Sequence, residues 1–141
     1  MLVMQKGVWN GILLPYKMKE IFVSPKIRVK PSDIHGMGVF AVEPINKGEI
    51  VEVSHCVDVP YKQHNRKSVM GKCFYDSNKA HSLWMVLGFG MIYNHSFSPN
   101  VEFRKGENKM EYSTNKDVES GEELFVLYTS HKKSFERTYL T

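Results

Sequence analysis

The sequence predicts a mainly β domain, of α+β composition with few short helices. Residues 101–114 carry the period-two pattern of an antiparallel hairpin. Short β-branched runs alternate with turn signals from about Glu20 onward. An apolar run of strand length, residues 124–128, follows the turn Gly121-Glu122-Glu123.

Taken in order, residues 1–18 are a distinct leader in which Met1, Met4 and Met18 are alternative starts. Val8, Trp9, Ile12, Leu13 and Leu14 make the leader apolar, and both packing against the domain and mobility are open to it. Residues 20–23 and 27–30 read as strands parted by Ser24-Pro25. Residues 39–42 form an apolar run behind Gly36-Met37-Gly38. Residues 44–48 are a polar turn, and residues 49–53 (Glu-Ile-Val-Glu-Val) are strongly strand-like. Residues 60–81 lose the pattern and predict a loop-rich insert with room for one short helix. In the hairpin, Val101 and Phe103 alternate with Glu102 and Arg104. After Lys105-Gly106-Glu107-Asn108, Met110 and Tyr112 alternate with Glu111 and Ser113, giving one buried face and one wet face.

Size and composition exclude several classes. The 141 residues suffice for one compact domain. Apolar residues make up 42% and charged residues 24%, an ordinary globular balance. No stretch approaches the roughly 20 apolar residues needed to cross a bilayer. The weak n-region at Lys6 and the broken apolar run behind it do not make a secretory signal, so an intracellular protein is expected. Cys56 and Cys73 are too few for a disulfide framework or a zinc site and read as buried small hydrophobes; no metal is expected. The net charge of +4 is scattered. Its densest groups are Lys62, Arg66 and Lys67, then Lys132 and Lys133. A basic nucleic-acid-binding β domain is therefore the weakest alternative.

Three segments carry the chemistry: Gly36-Met37-Gly38-Val39-Phe40-Ala41, with Lys47-Gly48-Glu49 a short distance on; Asn94-His95-Ser96 with Pro99-Asn100; and Gly121-Glu122-Glu123-Leu124 followed by Tyr128. In this order and spacing they resemble the SET family of protein lysine methyltransferases over about residues 26–130. The segment Leu87-Gly88-Phe89-Gly90 is similar to that of the small stand-alone SET proteins of large DNA viruses and bacteria. The resemblance implies a SET fold of several small twisted sheets, occupying residues 19–141, with a knot-like threaded C-terminal segment. It implies S-adenosyl-L-methionine as cofactor, S-adenosyl-L-homocysteine as product, and a protein or peptide lysine as substrate, histone tails leading. A possible homodimer follows from the small viral relatives, as does a host-nuclear location for a viral chain.

The resemblance assigns the cofactor site to Gly36, Met37, Gly38, Asn94 and His95. Glycines at 36 and 38 permit positive φ and close approach of a ligand to the main chain. The Asn94 amide supplies donor and acceptor to a zwitterion. Read without the family, the same residues are a tight turn and a buried Asn–His pair. Tyr128 is the candidate catalytic residue, with Tyr75 beside it; the plain reading of Tyr128 is a core aromatic at a strand end. Phe89, Tyr93 and Phe135 are candidates for the lysine channel, where aromatic walls suit an aliphatic stem ending in a cation. Glu122 and Glu123 read as a solvated or ion-paired turn, and Pro99-Asn100 as a rigid turn serving the fold. Four residues after Tyr128, where many members carry an aromatic, stands Lys132. Phe135 or Tyr139 then closes the channel, with residues 129–141 covering it. The altered tail keeps a second reading open, a catalytically silent SET module that binds cofactor or peptide.

Overall fold

A computed structural model describes residues 5–9, 12–15, 19–64 and 73–128. Its strands are β1 (Gln5–Trp9), β2 (Ile12–Pro15), β3 (Phe22–Val23), β4 (Ile27–Pro31), β5 (Met37–Ala41), β6 (Ile50–Pro60), β7 (Tyr75–Asp76), β8 (Ser82–Val86), β9 (Asn94–His95), β10 (Val101–Lys105), β11 (Lys109–Thr114) and β12 (Glu123–Val126). Among the described residues the helical content is two single turns of 3-10 helix, Tyr61–Gln63 and Phe89–Met91. The mainly β expectation holds. The leader contributes an antiparallel pair, β1 with β2. Residues 129–141, with Phe135, Tyr139 and the expected threading, lie outside the described residues.

Strand β6 organises the larger sheet. Along its first half β11 pairs on one edge and β3 on the other; along its second half, Cys56 to Pro60, it pairs with β8. The sheet runs β10-β11-β6-β8-β7 with β3 beside β6. Because both faces of β6 are covered, Val51, Glu52, Val53 and Ser54 are buried in succession, without alternation. The β10–β11 hairpin forms in the register expected, with Phe103 opposite Tyr112. Its wet face differs from expectation. Glu111 is only 3% exposed, and its carboxylate pairs with Arg104 of the neighbouring β10. Within residues 60–81 the departure is β7, which pairs with β8 just beyond, where Leu83, Trp84 and Val86 are core.

The smaller sheet runs β4-β5-β12-β9, and β9 joins β12 in parallel, Asn94 opposite Phe125 and His95 opposite Val126. Asn100 supports this junction. Its amide nitrogen donates to the Glu123 carbonyl at 2.9 Å, and its amide oxygen accepts the Phe125 N–H at 2.8 Å. It thereby serves the fold, by imitating a neighbouring strand rather than by stiffening a turn. Val39, Ala41, Leu124 and Val126 of this sheet share one core with Val51, Trp84, Val86, Tyr93, Met110 and Tyr112 of the larger one. Cys56 lies in that core, and burial pushes its thiol up to about 12, as suits an inert packing residue.

Candidate active site

Asn94 stands where the two sheets meet, 6% exposed. Its amide nitrogen donates to the carbonyls of His35 at 3.0 Å and Met37 at 3.2 Å, and to Glu123 Oε1 at 2.8 Å. The other Glu123 oxygen accepts from Ser32 Oγ at 2.9 Å. One asparagine and one carboxylate therefore fix the loop of residues 32–38 from behind. The two glycines in this loop act differently. Gly36 takes φ +51° with open space where a side chain would begin, so the loop is accessible there. At Gly38 a Cβ would fall 2.1 Å from Glu123 Oε1 and 3.2 Å from the Asn94 amide nitrogen. That glycine makes room for the brace rather than for a turn. Glu123 is thus no solvated turn residue, whereas Glu122 is exposed and accepts the Glu119 N–H within the turn, as expected.

His95, next along β9, accepts the backbone N–H of Tyr128 on Nδ1 at 2.9 Å. Desolvation lowers the imidazole pKa, which keeps the ring neutral and able to accept. Tyr128 in turn donates its hydroxyl to the carbonyl of Tyr93. Tyr75, reached from the opposite side of the chain, donates its hydroxyl to the carbonyl of Gly90 at 2.7 Å. Both tyrosines singled out from sequence are therefore tied to carbonyls of one short segment, residues 90–93. Burial raises the Tyr75 pKa, so its hydroxyl stays protonated.

A family model described as the SET domain matches residues 36–129, two thirds of the chain, and its span takes in all of these contacts from Met37 to Tyr128. The chain belongs to the SET domain family. Over 110 residues it is 29% identical to a histone-lysine N-methyltransferase of Schizosaccharomyces pombe, H3 lysine-37 specific, with 74% of each chain covered. A crystal structure of a Plasmodium falciparum protein, provisionally assigned as a histone methyltransferase, superposes with a TM-score of 0.64 at 27% identity, covering 79% of this chain and 99% of that one. The ctPRC2 complex solved with H3K27me3 and H3K27M matches with a TM-score of 0.61 at 22% identity, over 73% of this chain and 14% of that one, a likeness of fold alone.

The remaining candidate residues lie at and inside the core. Phe89 is half-buried beside the core, and its N–H is held by Glu52 Oε2 at 2.7 Å. Tyr93 has its ring fully inside the core, tilted against Tyr112 with ring centres 4.8 Å apart, and its hydroxyl on Glu52. What it turns toward Tyr128 is its carbonyl, not an aromatic wall. Phe135 falls outside the described residues. Sequence reading missed Ser32, Glu123 and Glu52 as parts of the site. Glu52 was concealed by its strand, where alternation predicts a wet side chain; Ser32 carries no local signal, and Glu123, though inside the Gly121-Glu122-Glu123-Leu124 motif, reads there as a turn carboxylate. No cluster of three or more metal-binding side chains occurs among the described residues. Among them, too, no helix is long and apolar enough to cross a membrane.

Proposed function

We propose that this SET domain transfers methyl groups from S-adenosyl-L-methionine to lysine side chains of a protein, with histone tails as the leading substrate class. The observation that carries the reading is the convergence of the Tyr75 and Tyr128 hydroxyls on the Gly90 and Tyr93 carbonyls, directly beside Asn94 and its loop. The relatives named as histone methyltransferases support the substrate class.

The residues present suit the cofactor. Asn94 holds the His35 and Met37 carbonyls from behind, and the open side of Gly36 leaves room for a ligand to approach the main chain. Asn94 donates to the loop through its amide nitrogen, so its oxygen is the acceptor it offers to an ammonium. When bound, the cofactor supplies an electrophilic methyl on a cationic sulfur. The protein must supply a neutral amine in line with it. Free lysine has a pKa of about 10.4 and is mostly charged. A dry aromatic site next to a fixed positive charge lowers that value. Tyr128 and Tyr75, with their protons given to backbone carbonyls, turn oxygen lone pairs toward the amine N–H groups and orient its nitrogen. Neither is a base in this scheme. His95 fixes Tyr128 through the backbone and takes no part in proton transfer. Residues 129–141, with Phe135, complete the channel in this reading, or a second copy of the chain does.

The test is calorimetric titration of S-adenosylmethionine into wild type and Asn94→Ala, followed by labelled methyl transfer to histones with Tyr128→Phe as control. Saturable binding, lost in Asn94→Ala, is expected. Transfer should fall roughly hundredfold in Tyr128→Phe, the scale of one lost stabilising contact in a reacting site. Well-folded wild type that binds no cofactor in the presence of histone would sink the proposal.

A further inference from the structure

The fully buried carboxylate of Glu52 takes no part in the reaction just described. Burying such a group is costly unless its oxygens are filled. Here they are filled entirely by donors. Ser54 Oγ donates to Oε2 at 2.6 Å, the Phe89 N–H donates to the same oxygen at 2.7 Å, and the Tyr93 hydroxyl donates to Oε1 at 2.9 Å. Gly88 lies so close that a Cβ would sit 2.2 Å from Oε2 and 2.3 Å from Ser54 Oγ. Gly90 is equally confined, with the Tyr112 hydroxyl 2.1 Å and Val86 Cγ1 2.6 Å from where its Cβ would be. The carboxylate therefore grips the segment at Phe89 and again at Tyr93. Between and at these grips are the two carbonyls, Gly90 and Tyr93, that receive the Tyr75 and Tyr128 hydroxyls.

We propose that Glu52 is a positioning residue for methyl transfer, clamping residues 88–93 so that the Gly90 and Tyr93 carbonyls hold the two tyrosine hydroxyls at the reacting amine. This rests on the methyltransferase reading above. Of the three partners the Phe89 N–H can only donate, while the Ser54 and Tyr93 hydroxyls donate as placed and can also accept. A glutamine of the same shape replaces the charge-assisted bonds by weaker neutral ones and turns an NH2 toward one grip, reversing or releasing it. The clamp does not touch the loop of residues 32–38, so loss of the clamp should leave cofactor affinity intact.

The experiment measures methylation of histone H3 and calorimetric S-adenosylmethionine binding by the full chain as wild type, Glu52→Gln, Tyr93→Phe and the double variant. Glu52→Gln should lower kcat roughly hundredfold, the scale of an ångström-level misplacement, with the cofactor dissociation constant unchanged. Tyr93→Phe removes one donor while keeping the ring and the carbonyl, and should lower kcat about tenfold. The double variant should fall no further than Glu52→Gln, because the hydroxyl acts only through the carboxylate. Wild-type kcat in folded Glu52→Gln overturns the clamp, as does a kcat loss matched by an equal loss of cofactor affinity. Should Glu52→Gln not fold, an unchanged kcat in Tyr93→Phe overturns it instead. Wild type that binds cofactor yet methylates no histone removes the methyltransferase reading, and the clamp's catalytic role with it.

Discussion

The loop of residues 32–38 and the segment of residues 88–93 meet at Asn94 but are held in opposite ways. The loop is exposed along Asp33 to Met37 and is tied down from one side by the side chains of Asn94, Glu123 and Ser32. The segment is backed by a fully buried carboxylate and an aromatic layer of Tyr75, Tyr93, Tyr112 and Phe103. A loop braced on one side keeps its other side for a ligand and can yield slightly. A segment clamped at both ends against a close-packed core cannot. Binding a polar cofactor tolerates the first arrangement; aligning an amine with a methyl group needs the second.

Adding one methyl group to each region tests this contrast. Gly88→Ala drives a Cβ into Glu52 and Ser54, which are buried and cannot move aside, and should destabilise the fold by about 1–3 kcal/mol or more in denaturant unfolding. Gly38→Ala meets chiefly the far end of Glu123, a half-exposed and flexible side chain. It should cost about 1 kcal/mol or less in the same measurement but weaken S-adenosylmethionine binding, since Glu123 must leave Asn94. Equal destabilisation by the two substitutions would break the comparison.

A smaller effect is expected from acid. The folded pKa of His95 lies below the ordinary imidazole value of 6.5. The stability from its bond to Tyr128 is therefore complete above that value and is lost as pH falls through the folded pKa. Stability measured by denaturant unfolding from pH 8 down to about 5 should decline on the acid side as the bond to Tyr128 is lost, and His95→Asn should flatten that limb. A limb unchanged by the substitution would remove the imidazole from the explanation. The smallest expected effect belongs to Ser32→Ala, which deletes one donor to Glu123 at a half-exposed position. It should lower stability by about 1 kcal/mol or less and cofactor affinity only slightly. A loss as large as that of Asn94→Ala would mean that the brace, not the asparagine, carries the loop.

Much of the candidate site was legible because its residues announce themselves locally. Asn94-His95 with Pro99-Asn100, the glycine pair at 36 and 38, and Tyr128 behind its glycine turn occur at spacings that few other arrangements share. The hairpin was legible because alternation records which face is buried. Other features were not, for a common reason. Glu111 and Glu52 look like the wet positions of a strand, and become buried only because β11 and β6 are covered on both faces. Glu123 looks like a turn carboxylate until the chain brings Ser32 and Asn94 to it from 91 and 29 residues away.

The sequence by itself determined the class of fold, the family and the motifs of the candidate site, since these depend on local pattern. Tertiary structure alone decided which polar groups support them. Whether a carboxylate is solvent-facing or a buried acceptor depends on which donors distant segments bring to it, and pairing across sheets has no period that a single strand can record.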